Sequence, residues 1–225
     1  MRAIIRDRPD RVSLSINDKM SEYVNAALLG QDVFGFIGGY FSLIDAISAC
    51  VSRIGNCALT LSTWTAAKAD MDHVISFLAR GQVNSCRWIV DRSFQNRQPE
   101  LCDALRSGFG DDAIRVQPVH CKFALMESAA GNLTLQTSAN LNRNRRLENL
   151  NISSCPVFFE AYSQLVSEIF SVQKPGDGFN DSSSANRTFK AIVNKGKSAA
   201  EIKADRKIKR FQKRLDRAGT QRGTH

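Results

Sequence analysis

Histidine is scarce in this chain: its 225 residues include three. His225 is terminal, and His73 sits beside Asp72 on an expected amphipathic helix, where it reads as a surface histidine. His120 is left as the imidazole placed for chemistry. The six cysteines (50, 57, 86, 102, 121 and 155) form no C-x-x-C and no paired metal spacing. Several lie in apolar runs, so they read as buried, reduced thiols of a cytoplasmic protein, and no metal site is expected. A secretory leader is not expected either, because Arg2, Arg6, Asp7 and Arg8 interrupt any early apolar stretch. No long run is free of interruption. Residues 33–51 come nearest to a bilayer span, but Asp45, three glycines (35, 38, 39), Ser42 and Ser48 fall inside them. A buried strand, a glycine turn and a core helix account for that run, so no membrane partner is expected. No internal repeat is present, and each motif occurs once.

The charge that is present is unevenly distributed. Residues 187–225 hold 13 of the 31 Lys and Arg and 3 of the 22 Asp and Glu, a balance of +10. The remaining 186 residues hold 18 against 19, a balance of −1. A neutral body with a basic tail attracts polyanions through its field and through counterion release.

Apolar periodicity divides the chain. Short strand-like runs are expected at 32–37, 57–61, 85–90, 113–116, 120–126, 133–137 and 148–152, with a turn at 129–132. Helical spacing is expected at 19–29, 41–53, 66–80, 99–107 and 157–172. Alternation followed by a strand cluster predicts an α/β fold with a mixed sheet flanked by helices. The expected organisation is an N-terminal segment (1–31), a catalytic domain (32–172), a linker rich in Gly, Ser and Asp (173–197), and a basic tail (198–225) that is helical or disordered.

His120-Cys121-Lys122 is expected to open a strand, where alternation puts the histidine and lysine side chains on one face. Thr137-Ser138-Ala139-Asn140 follows one strand later, and then Glu148. This order, His120-x-Lys122-x4-Glu127, then Thr137-Ser138-x-Asn140, then a downstream acid, resembles the motif of the phospholipase D-like superfamily. The upstream Gly39-Tyr40-Phe41-Ser42 is similar too, and the resemblance spans residues 32–172. It implies a phospholipase D-like mixed sheet and a metal-independent phosphodiesterase without cofactor. In that chemistry a histidine attacks phosphorus, forming a phosphohistidine and splitting one hard step into two. Lys122, Ser138 and Asn140 would hold the phosphate oxygens, and Glu148 would orient His120.

Two motif positions depart from the pattern. Glu127 stands for an aspartate that supports the motif from within the protein. Thr137 stands for a glycine that lets backbone approach phosphate. The mechanism also needs a second histidine to protonate the leaving oxygen. With a single His-x-Lys, the resemblance implies a homodimer with the site at its twofold interface.

The partner expected from the tail is DNA or RNA, which makes a nuclease the leading function. One alternative is a nucleic-acid-binding module that keeps the fold with weak catalysis. Another is a phospholipid hydrolase, disfavoured because the chain lacks a second motif and an interfacial segment. Arg143, Arg145 and Arg146 read equally as a backbone-binding groove or as a solvated loop. Trp64 is a candidate pocket residue, Trp88 a core residue, and the Asp91-Arg92 pair a solvated turn.

Overall fold

Apolar patterning becomes alternating strands and helices in the computed structural model, which describes residues 20–37, 42–142, 146–179, 182–198, 200–205 and 207–210. Helix α1 (Met20–Leu28) precedes strand β1 (Val33–Ile37). Then follow α2 (Leu43–Ile54), β2 (Cys57–Thr63), α3 (Lys68–Ala79) and β3 (Val83–Asp91). A short α4 (Phe94–Arg97), α5 (Pro99–Phe109) and β4 (Ile114–Gln117) complete the alternating part. Strands β5 (Lys122–Ser128), β6 (Gly131–Thr137) and β7 (Glu148–Ser153) run consecutively before α6 (Pro156–Val172) and α7 (Ser182–Asn194).

Among the described residues the strands form one seven-stranded mixed sheet in the order β1-β7-β6-β5-β2-β3-β4. The β2–β3 and β3–β4 pairs are parallel, and the others are antiparallel. The α/β class and the mixed, helix-flanked sheet are therefore as the sequence implies. Residues 33–51 become β1 and α2. Asp45, the acid that interrupts this run, caps α2: the Ser42 amide donates to its carboxylate at 2.8 Å and the Ser42 hydroxyl at 3.0 Å. Among the described residues no helix is long and apolar enough to cross a membrane.

The core lies on one side of the sheet, where Ile47, Leu59, Leu61, Met71, Trp88 and Leu135 are almost fully buried. Trp88 packs against Phe109 with ring centroids 5.0 Å apart and the planes tilted, as a core residue should. Four cysteines (50, 57, 86 and 102) are buried and free, Cys155 is half-buried, and Cys121 is exposed. Burial, with Cys57 adding to it, pushes the Cys50 thiol up to about 12, so it stays protonated.

The opposite sheet face is more polar and lies under α6. Tyr162 of that helix packs edge-on against Phe123, and the guanidiniums of Arg87 and Arg115 lie over Phe170 at 5.4 and 4.4 Å. Strand β4 is a sheet edge, and a side chain completes its hydrogen bonding. The Gln173 amide accepts from Val116 N at 2.7 Å and donates to Val116 O at 2.9 Å.

The segment expected as a linker (173–197) contains α7. Its small residues Ser184, Ala185 and Thr188 are buried, and Arg92 donates to Asn186 at 2.8 Å. A packing face built from Ser, Ala and Thr has the composition of a linker, which hid the helix. Contacts divide the chain into residues 1–189 and 190–225. Within the second unit, residues 200–205 and 207–210 are helical, with the Ser198 amide donating to Glu201 at 2.8 Å and Lys197 paired with Asp205 at 2.6 Å. The rest of the basic tail lies outside the described residues.

Candidate active site

Antiparallel pairing of β5, β6 and β7 beside the parallel β2, β3 and β4 brings several chain ends to one end of the sheet. These are the carboxyl ends of β2, β3, β4 and β6 and the amino ends of β5 and β7. Ligands of open α/β sheets bind at this kind of carboxyl end. The motif residues lie there. Lys122 opens β5 and is paired in register with Thr137, the last residue of β6. Glu148 opens β7, paired with Ile37 of β1.

The strand expected to start at His120 starts at Lys122. The Cys121 carbonyl accepts from the Ser62 hydroxyl at 2.9 Å, so His120 sits in the connection just before the strand. It is exposed, while Lys122 is only 6% exposed, and the two side chains meet nonetheless. Lys122 Nζ lies 3.2 Å from His120 Nδ1 and 3.4 Å from Nε2. The in-plane lone pairs of the two ring nitrogens diverge, so one ammonium serves at most one of them, and the tautomer decides which. Burial lowers the Lys122 pKa below the usual lysine value, while the negative charges of Glu148 and Asp91 and the neighbouring Cys121 pull the other way.

The Ser-x-Asn segment is fixed by its neighbours. The Ser138 hydroxyl donates to Glu148 Oε2, the Ser138 amide donates to Asn149 Oδ1 at 2.6 Å, and the Asn149 amide donates back to Ser138 Oγ at 3.1 Å. Thr137 stands where the motif resemblance expects glycine, and its hydroxyl ties down the turn. It donates to the Asn149 carbonyl at 2.6 Å and accepts from the Ala139 amide at 3.0 Å. Beyond Asn140, the Leu141 carbonyl accepts from the Ala67 amide at 2.7 Å, which joins this loop to the one after β2. Asn140 is half-buried, and its Oδ1 has no hydrogen-bond partner in the structure. Asn140 thus has an acceptor that is buried and unmet, whereas the Ser138 hydroxyl is engaged.

Three expectations come out differently. Glu148 bonds to Ser138, and no Glu148–His120 hydrogen bond forms. Its influence on the pair is electrostatic, through Lys122. Glu127 does not support the motif from within the protein. It is exposed, at an odd offset from Lys122 and so on the other sheet face, in register with Ala58 and Asn132 near the far end of β5. Asp91 is not a solvated turn: its Oδ2 accepts from the Val119 amide at 3.1 Å, immediately before His120.

Of the arginine cluster, Arg146 is exposed, and Arg143 and Arg145 lie outside the described residues, as do Gly39, Tyr40 and Phe41. His73 on α3 is exposed, near Ser48 at 3.4 Å and with its ring tilted against that of Phe77 at 4.8 Å. Trp64 does border the site, with its ring 5.8 Å from that of His120. Arg97 was missed by sequence reading. It covers Trp64, and no local pattern links residues 33 positions apart.

No protein-family model matches the sequence, and no curated protein matches it either. Among solved structures, the chain is similar to polyphosphate kinase from Porphyromonas gingivalis, at 16% identity and a TM-score of 0.44 over 65% of this chain and 27% of that one. It is also similar to the crystal structure of a phospholipase D family member, Nuc from Salmonella typhimurium, at 13% identity and a TM-score of 0.47 over 64% of this chain and 97% of that one.

Proposed function

We propose that the chain is a phospholipase D-like phosphodiesterase, a metal-independent nuclease acting on DNA or RNA as a homodimer. The observation that carries this reading is the meeting of His120 with the buried Lys122 at the sheet end that also holds Ser138, Asn140 and Glu148. The Lys122 ammonium and the Asn140 amide hold non-bridging phosphate oxygens and offset the charge of the transition state. A His120 ring nitrogen attacks phosphorus, and a P–N bond forms as the P–O bond to the leaving nucleotide breaks. The partner subunit's copy of the same histidine protonates that leaving oxygen. It then takes a proton from water, which attacks the phosphohistidine and frees His120.

The surface beside the site supports a second copy. Phe34 and Phe36 are half-exposed on the edge strand β1, on one face of it, and Leu147 next to Glu148 is 73% exposed. Apolar surface running from a site with one histidine to a sheet edge suits a twofold partner that supplies the other. The basic tail supports the choice of nucleic acid, because its +10 balance stands against a body of −1.

A second reading, a nucleic-acid-binding module with a weakened site, is favoured by two observations. Glu127 points away from the motif, and Glu148 is engaged by Ser138. One experiment separates the readings: cleavage of labelled single- and double-stranded DNA and RNA in EDTA, with wild type and His120→Ala. The expected outcome is cleavage by wild type, lost in the variant with affinity kept. Binding without cleavage of any substrate establishes the module and ends the enzyme reading.

A further inference from the structure

His120 stands in a connection before a strand, exposed, and its expected carboxylate Glu148 bonds elsewhere. An attacking imidazole must be held, because misplacement by about 1 Å can cost roughly a hundredfold in rate. The structure shows what can hold it. The His120 ring lies against the Trp64 indole, with centroids 5.8 Å apart and the planes inclined at 58°. The Arg97 guanidinium covers a face of the same indole at 3.6 Å and donates from Nη2 to the Trp64 carbonyl at 2.7 Å. Arg97 Nε donates to Ser93 Oγ at 3.0 Å. The Ser93 hydroxyl and amide both donate to Asp91 Oδ1, the amide at 2.9 Å. The other Asp91 oxygen accepts from the Val119 amide at 3.1 Å, one residue before His120.

These contacts run from the His120 ring through Trp64, Arg97, Ser93 and Asp91 to the backbone amide of Val119, which adjoins His120 in the chain. We infer that Trp64, Arg97 and Asp91 are positioning residues that clamp His120, by its ring and by the Val119 amide just before it, in place of a direct carboxylate. The loop bearing Trp64 is fixed independently. The Thr63 hydroxyl donates to the Thr65 carbonyl at 2.6 Å, and the Thr65 hydroxyl donates to Gln98, the residue after Arg97. The cation–π contact also gives the arginine a role at the rim that a solvated side chain would lack. One face of Trp64 is already taken by Arg97, so clamping fits this indole better than a free platform for a base.

The clamp has a signature that needs no substrate. A protonated imidazole against an excited indole quenches its emission, whereas the second tryptophan, Trp88, is fully buried in the core. Tryptophan emission of the full chain, followed against pH, is expected to show a quenching step in wild type. The step should vanish in His120→Asn and shrink in Arg97→Ala, whose exposed side chain can be removed without unfolding the core. A step absent from wild type, or one that survives His120→Asn, overturns the clamp.

The rate arm rests on the proposed role of His120. Trp64→Ala and Arg97→Ala are expected to lower kcat roughly a hundredfold with KM little changed, and Trp64→Phe to recover most of that loss. Equal activity in wild type and both alanine variants also overturns it. A quenching step in a chain that cleaves nothing keeps the clamp and removes the nuclease.

Discussion

Lys122 shows at the scale of one residue how a proposed activity and stability oppose each other. Its side chain is buried and its pKa lies below the ordinary lysine value of 10.5, chiefly because burial penalises the charged form. Between the folded and the unfolded pKa, the unfolded chain binds the more protons, so this group's contribution to stability rises as pH climbs toward 10.5. At neutral pH the charged lysine is a cost. Lys122→Met is therefore expected to keep or raise the melting temperature at pH 7, with the difference closing in alkaline solution. On the proposed chemistry it also loses cleavage by about 10²-fold or more, because a cation aimed at phosphate is gone. Thermal melts across pH, paired with the cleavage assay, check both. A marked fall in stability at pH 7 would mean that Lys122 is a structural cation. Legibility at this scale followed sequence distance. His-x-Lys and Ser-x-Asn are local spacings and were readable as such. Asp91, Arg97 and Trp64 act on His120 across β3, α4 and the loop after β2, and only the fold assembles them.

Elements were the most readable level, because strand and helix periods write themselves into short windows. All seven expected strands and the five expected helices correspond to strands and helices of the structure, with ends shifted by a few residues. The order of strands was not readable, since β1 pairs with β7 from far along the chain. Nor was the way β4, at a sheet edge, satisfies its backbone. A single amide, Gln173, stands where a neighbouring strand would, taking the N–H and the C=O of Val116, and it is 2% exposed. Removing it leaves two buried backbone groups unmet, at about 1–3 kcal/mol for each unsatisfied group. Gly178 belongs to the same contact. Its φ is +92°, and an added Cβ would stand 2.7 Å from Val116 Cβ, so the chain leaving α6 is pressed onto β4 where glycine alone fits. Gln173→Ala is expected to lower the melting temperature by at least roughly 4–8 °C, the shift for the lower bound of about 2 kcal/mol in a chain of this size. The cleavage activity of the folded fraction should stay intact, because Gln173 bonds to Val116 and to no motif residue. An unchanged melting temperature would mean that water replaces the amide.

For the whole molecule, the decisive number is the count of histidines. One His-x-Lys, one imidazole at the site among the described residues and no internal repeat leave the proposed two-histidine mechanism half supplied by one chain. Charge cannot repair this: the basic tail raises the local concentration of a polyanion but carries no general acid. A site shared between two chains, as proposed, makes a quantitative demand that a self-sufficient chain does not. When wild type and His120→Ala are co-refolded so that subunits assort freely, a site built from both chains is intact only if both are wild type. Its abundance follows the square of the wild-type fraction. In an equal mixture the activity per total protein is expected to be about one quarter of that of pure wild type, where independent chains would give about one half. The exposed Phe34 and Phe36 supply the matching control at the proposed surface: charged replacements there should abolish activity while leaving each folded monomer intact. A quadratic curve whose activity disappears with those replacements ties catalysis to the twofold assembly. A linear curve would require every proton in the reaction to be handled within one chain, and the second acid would have to be sought among groups of that chain other than His120.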